Sequence, residues 1–182
     1  MRGGNSGVST LVRPPRPAEA RWIPVWPAYA AAIWVVTYVV WVFLDIAGHV
    51  LSGDYMVESM LAAVLADSVL RAVSGILILA TMRSWRFTVP DGLMLLLAWA
   101  AAGGSLAFPL YKTARFALAA NHLADPWPAP YFTVALLGLS VGAALFVTAA
   151  VSFLNRSNAP RRWAILGLFL GFFVMYLPVS HW

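Results

Sequence analysis

Cysteine is absent from the chain, and charge is scarce: only 10% of its 182 residues are Asp, Glu, Lys or Arg. The first absence excludes disulfides, thiolate nucleophiles, zinc–thiolate sites and thiolate-bound iron–sulfur clusters. The second sets the chain apart from soluble domains, in which roughly a quarter of residues are charged. Catalytic signatures are missing too. There is no G-x-x-x-x-G-K-[ST], no G-x-G-x-x-G and no H-E-x-x-H. The stretch Gly138-Leu139-Ser140-Val141-Gly142 has the glycines of a nucleophile elbow. It lies mid-way along an apolar run, however, with no catalytic partner in reach of Ser140.

What is present is apolar. Hydrophobic residues make up 62% of the chain and fall in long runs, a pattern that a soluble core of this length cannot absorb. Residues 1–21 form a Gly/Ser/Pro/Arg-rich tail, too polar to order itself and with no cleavage signal of the secretory kind. Residues 22–182 then form one transmembrane domain with five spans at approximately 26–49, 56–82, 89–111, 131–154 and 163–181. Each span is near the ~20 residues needed to cross the hydrocarbon. Between them lie turn formers such as Ser52-Gly53-Asp54, Pro90-Asp91-Gly92 and Asn155-Arg156-Ser157-Asn158. Only helices satisfy their own backbone in lipid as single segments, so the expected class is all-α, a polytopic bundle of five transmembrane helices.

The basic residues set the orientation. With the N-terminus inside, Arg2, Arg13, Arg16, Arg21, Arg83, Arg86, Arg156, Arg161 and Arg162 are cytoplasmic, while Lys112 and Arg115 fall outside and Arg71 lies within the membrane. This predicts N-in, C-out topology in a plasma membrane. Residues 111–124 read either as a short interfacial helix or as a loop on the outer side. The basic pI reflects these loop markers and does not point to nucleic acid.

The stretches WPAYAAAIWVVTYVVW (26–41), LLLAWAAAGGSLAF (95–108) and WPAPYFTVALLGLSVGAALFVTAA (127–150) resemble a group of small bacterial multi-pass membrane proteins of unassigned function. The resemblance implies a fold and a bacterial inner-membrane location, and carries no activity or functional residue with it.

Three groups of residues stand out. Asp67 and Arg71 are four apart, hence one turn apart on one face of the second span, with Ser74 on the same side. They read as an intramembrane ion pair that fixes helix packing, or as the lining of a proton path or small-molecule cavity. On the first span, Trp34, Tyr38, Trp41, Asp45 and His49 follow helical spacing and form one stripe. Aromatic stripes of this kind usually pack against neighbouring helices. The outer-side placement of His49, His122 and His181 near Asp45 gives an alternative, a site for copper, zinc or iron, although no cofactor is favoured. Finally, Gly138/Gly142, Gly167/Gly171, Ala28/Ala32 and Ala62/Ala66 are small-xxx-small pairs that let backbones approach closely. They read as packing faces within the five-helix bundle; the alternative is a contact with another subunit, for which the glycine side of the last span is the best candidate.

The function these features suggest is an accessory or assembly subunit of a larger membrane complex, without catalytic chemistry of its own. Its expected partners are membrane lipids and other membrane subunits. The alternatives are a small carrier or lipid-binding protein lined by Asp67 and Arg71, and a metal-dependent membrane oxidoreductase subunit using Asp45 and His49.

Overall fold

The computed structural model describes residues 25–53, 58–82, 89–119 and 130–179. They form five α-helices: α1 (Trp26–Ser52), α2 (Glu58–Ala80), α3 (Asp91–Ala119), α4 (Pro130–Arg156) and α5 (Arg162–Val179). Helix starts and stops follow local chemistry. Pro27 opens α1, where its missing N–H costs nothing. Gly53 closes the same helix in the left-handed conformation (φ 77°), its N–H reaching the carbonyls of His49 and Val50. Asp91 places a carboxylate in the first turn of α3, where the helix dipole favours it.

Four of the five helices are long and apolar enough to cross a membrane; the apolar stretch of α5, Arg162–Tyr176, is shorter. At 1.5 Å per residue, the 18 residues of α5 span about 27 Å, slightly less than the roughly 30 Å of hydrocarbon. Hydroxyls inside these helices are satisfied locally. Ser68, Ser74, Ser105, Ser140 and Thr148 each donate to the carbonyl four residues earlier. That arrangement lets them sit in an apolar medium without a partner on another helix.

The contacts order the helices. Along α1 and α2 they run in opposite directions, with Val35 against Gly75 and the Tyr38 hydroxyl on Asp67. Along α3 and α5 they run together, from Gly92 against Trp163, through Ala100 against Gly171, to Gly104 against Met175. Arg156 at the end of α4 reaches Met82 at the end of α2, at 3.6 Å. Helices α1, α3 and α5 therefore point one way, and α2 and α4 the other. Arg156, Arg161 and Arg162 share the end of the bundle at which α1 begins.

Small residues hold the core tight. Ala28, Ala31, Ala98, Ala101, Ala102, Ala149 and Ala150 surround the fully buried Phe146 and Ile78. The closest approach is between α3 and α5. A Cβ at Gly103 would meet the Leu168 carbonyl, one at Gly167 the Leu96 carbonyl, and one at Gly171 the Ala100 carbonyl. The glycine side of α5 is thus taken up by α3 within the same chain. Residues 111–119 differ from expectation. They continue α3 without a break past the internal Pro109, and form no separate interfacial helix or loop. Residues 120–124 of that segment lie outside the described residues. The outward surface is strongly apolar, with Ile33, Val36 and Leu44 on α1 and Phe169 and Phe173 on α5 more than half exposed. Patches of that extent are a liability in water and normal against lipid.

Glycine identity matters at the α3–α5 crossing and not everywhere. Gly171→Ala is expected to destabilise the bundle by about 1–3 kcal/mol, the range for overpacking a tight contact. Gly138→Ala, whose Cβ would meet nothing within 4 Å, should fall within about 1 kcal/mol of the parent. Thermal unfolding in detergent of the two variants makes the comparison, and equal midpoints would remove the steric account of the crossing.

Candidate functional site

The middle of α2 carries the charges, and the middle of α1 faces them. Asp67 and Arg71 bond through Arg71 Nε and Asp67 Oδ2 at 2.7 Å, as the i, i+4 spacing requires. The Tyr38 hydroxyl of α1 donates to the same Oδ2 at 2.6 Å. One carboxylate oxygen thus takes two hydrogen bonds from two helices. The guanidinium carbon of Arg71 lies 4.8 Å from the Tyr38 ring centroid and 5.8 Å from that of Trp34. Those two rings stack at 5.4 Å, nearly parallel.

Helix α4 completes the group. Trp34 Nε1 donates to the Gly138 carbonyl at 3.0 Å. The indole lies so close to Gly142 that any Cβ there would collide with it. Phe146, one turn further on, meets the same indole edge to face at 6.5 Å. Gly142 therefore accommodates an aromatic ring of α1 and not a second backbone, while Gly138 supplies the carbonyl that the ring's N–H needs. The sequence stripe and the sequence glycines are two halves of one contact.

Magnitudes show why the cluster holds. Arg71 and Asp67 at the membrane centre cost about 2.5–3.5 kcal/mol each on insertion scales. Hydrogen bonds to charged groups contribute roughly 1.5–3 kcal/mol each, and a desolvated cation–π contact about 2 kcal/mol. Two such bonds and two ring contacts are enough to offset the cost. Arg71 is only 3% exposed, while the Asp67 side chain keeps 16% of its surface open.

The remaining sequence candidates are placed as follows. Ser74 bonds the Leu70 carbonyl of its own helix and does not join the ion pair. Trp41 extends the stripe, with its ring 6.3 Å from that of Tyr38, and is exposed. Asp45 and His49 are both half-buried on α1, and no ion pair joins them among the described residues. His122 and His181 lie outside the described residues. Among those described, no three His, Asp or Glu side chains come together as a metal site would need. A cavity lies elsewhere, a groove of about 480 Å³ between α3 and α4 lined in part by Leu106, Pro109, Leu110, Ala143 and Val147. It is mostly apolar; of the three hydroxyls that line it, those of Ser140 and Thr148 are bonded to their own helix, and the third belongs to Thr113. It lacks the converging polar groups of a specific ligand site.

Sequence reading found the pair and the stripe but not the hydrogen bond that joins them. The available signal was depth: Tyr38 lies near the middle of α1, and Asp67 and Arg71 straddle the middle of α2. Joined as a hairpin, the two helices bring those levels together. Compared with known proteins, the chain matches no family model, no curated protein and no solved structure.

The pairing has a mutational signature. Asp67→Ala strands a buried cation and is expected to cost roughly 3–5 kcal/mol of stability. The double change Asp67→Ala/Arg71→Ala should cost less, because no charge is left unmatched. Folded yield and melting temperature in detergent measure both, and equal damage from the two variants would mean that the pair is not a unit.

Proposed function

We propose that this is a multi-pass protein of a bacterial inner membrane in which all five helices cross the bilayer, N-terminus in the cytoplasm and C-terminus outside. It serves as an accessory or assembly subunit of a larger membrane complex and performs no chemistry itself. The observation that carries this reading is that the intramembrane charges are held by side chains of the bundle and are not turned toward a cavity. Arg71 and Asp67 spend their hydrogen bonds on each other and on Tyr38, with aromatic rings over the cation. A carrier would be expected to turn those groups toward a cavity, and the 480 Å³ groove lies instead between α3 and α4. The orientation is supported by the arginines at the α4–α5 link, Arg156, Arg161 and Arg162, all exposed at one end of the bundle. The broad apolar faces of α1 and α5 leave room for both lipid and a partner helix.

Mass decides the subunit assignment. After extraction in mild detergent from its own membrane, the 19.8 kDa chain is expected in a heavier particle with a stoichiometric partner. A stable single-chain particle under those conditions would rule the assignment out.

Topology is checked independently. A periplasm-dependent reporter such as alkaline phosphatase, fused after Trp182, should be active. A cytosolic C-terminus would mean that α5 does not cross or that the bundle is inverted.

A further inference from the structure

The α4–α5 link ends in two arginines that the bundle does not use. Arg161 and Arg162 are exposed, and among the described residues no ion pair or side-chain hydrogen bond engages either. Arg156, at the other end of the link, differs. Its Nε donates to the Ser152 carbonyl at 3.2 Å, and its Nη2 lies 3.6 Å from the Met82 sulfur. Asp91, the acid at this end of the bundle among the described residues, pairs with neither Arg161 nor Arg162. Two adjacent guanidinium groups thus face outward with no counter-charge from the described part of the chain.

Arg162 heads an apolar stripe. Ile165, Leu166, Phe169 and Phe173 follow it at intervals of three, four, seven and eleven residues, so all lie on one face of α5. Each of the four is more than half exposed. The opposite face, with Gly167 and Gly171, is closed against α3. From Arg162 to Phe173 the stripe is about 16 Å long at 1.5 Å per residue. That is close to half of a hydrocarbon core of roughly 30 Å. A charged head and an apolar track one leaflet deep are the two parts of a phospholipid contact.

We infer that this face of α5 binds one anionic phospholipid, its phosphate on Arg161 and Arg162 and an acyl chain along the stripe from Ile165 to Phe173. Charge complementarity selects the occupant. Guanidinium forks match phosphate oxygens in pairs, and basic residues at the membrane surface attract anionic headgroups. A zwitterionic headgroup brings a cation of its own, which the arginines repel. An apolar partner helix would cover the stripe and leave both arginines without a counter-charge. A soluble anion would meet the arginines and leave the stripe unused. The site goes beyond the subunit reading and does not depend on it. It does depend on α5 lying in the bilayer, which the reporter fusion tests separately.

The test uses the full chain purified in a neutral detergent, where the result does not depend on the direction of insertion. Phosphatidylglycerol and phosphatidylcholine with identical acyl chains are titrated in, and the lipid retained per chain is counted by native mass spectrometry. Each arginine near an anionic surface contributes roughly fivefold, so one phosphatidylglycerol is expected to be retained with a preference on the order of 30-fold. Arg162→Gln should lower that preference about fivefold, and Arg161→Gln/Arg162→Gln should abolish it. Arg156→Gln should leave it in place, because that side chain is engaged within the bundle. Phe169→Ala/Phe173→Ala should weaken retention while keeping the preference. Equal retention of the two lipids overturns the inference, as does a preference that survives the double glutamine variant or falls as far with Arg156→Gln. Retention untouched by the loss of both phenylalanines overturns it too, since the stripe would then play no part. Displacement of the lipid by an equal concentration of glycerol phosphate would make this a site for a soluble anion and overturn it likewise.

Discussion

Hydrocarbon offers a guanidinium no hydrogen bonds, so the donors of Arg71 must be met from within the bundle or left bare. That constraint organises α1, α2 and α4 together. Asp67 satisfies Nε from the preceding turn, and Tyr38 crosses from α1 to the same carboxylate oxygen. Trp34, one turn before Tyr38, lays its ring beside the cation and its indole N–H on the α4 backbone. The N–H needs the Gly138 carbonyl, and the ring needs the space left by Gly142. Each step follows from the one before it, and all begin with a charge that cannot reach water.

The pair α3 and α5 is held by different means. Its contacts are between backbones, with Gly103, Gly167 and Gly171 each facing a carbonyl of the other helix. In lipid there is no gain from hiding apolar side chains, because the surroundings are equally apolar. What remains is dispersion at short range and polar contact. The α3–α5 crossing uses the first, and the α1–α2–α4 cluster uses the second. Phe146 and Ala98 belong to the shared core that joins the two halves.

Much of this was legible in the sequence. The helices lie within a few residues of the apolar runs, because the runs are long and lipid admits one secondary structure for single segments. The Asp67–Arg71 bond follows from spacing alone. The extent of α3 was not legible, since Tyr111-Lys112 looks like the end of an apolar span while the backbone has no reason to stop there; the internal Pro109 removes one N–H and the helix continues. Nor could the glycines be assigned to their contacts. A G-x-x-x-G pair shows that something comes close and is silent on whether it is a ring, as at Gly142, or a carbonyl, as at Gly171. Only the rotation of each helix about its axis decides that, and in an apolar run such as α5 no residue pattern records it.

Why a chain with so few charges places two of them mid-membrane is answered by register. Apolar helices in lipid can slide and rotate against each other at little cost, because one leucine contact is much like another. A buried pair with a crossing tyrosine allows a single depth and a single rotation of α1 against α2. Replacing such a pair with apolar residues often leaves stability unchanged, so its use here lies in specificity more than in strength. The α1 indole then transmits that register to α4 through two glycines, and the α4–α5 link brings α5 to α3 at the same end of the bundle. Fixing α1 and α2 against each other also fixes the shape of the outer surface that the two helices present together.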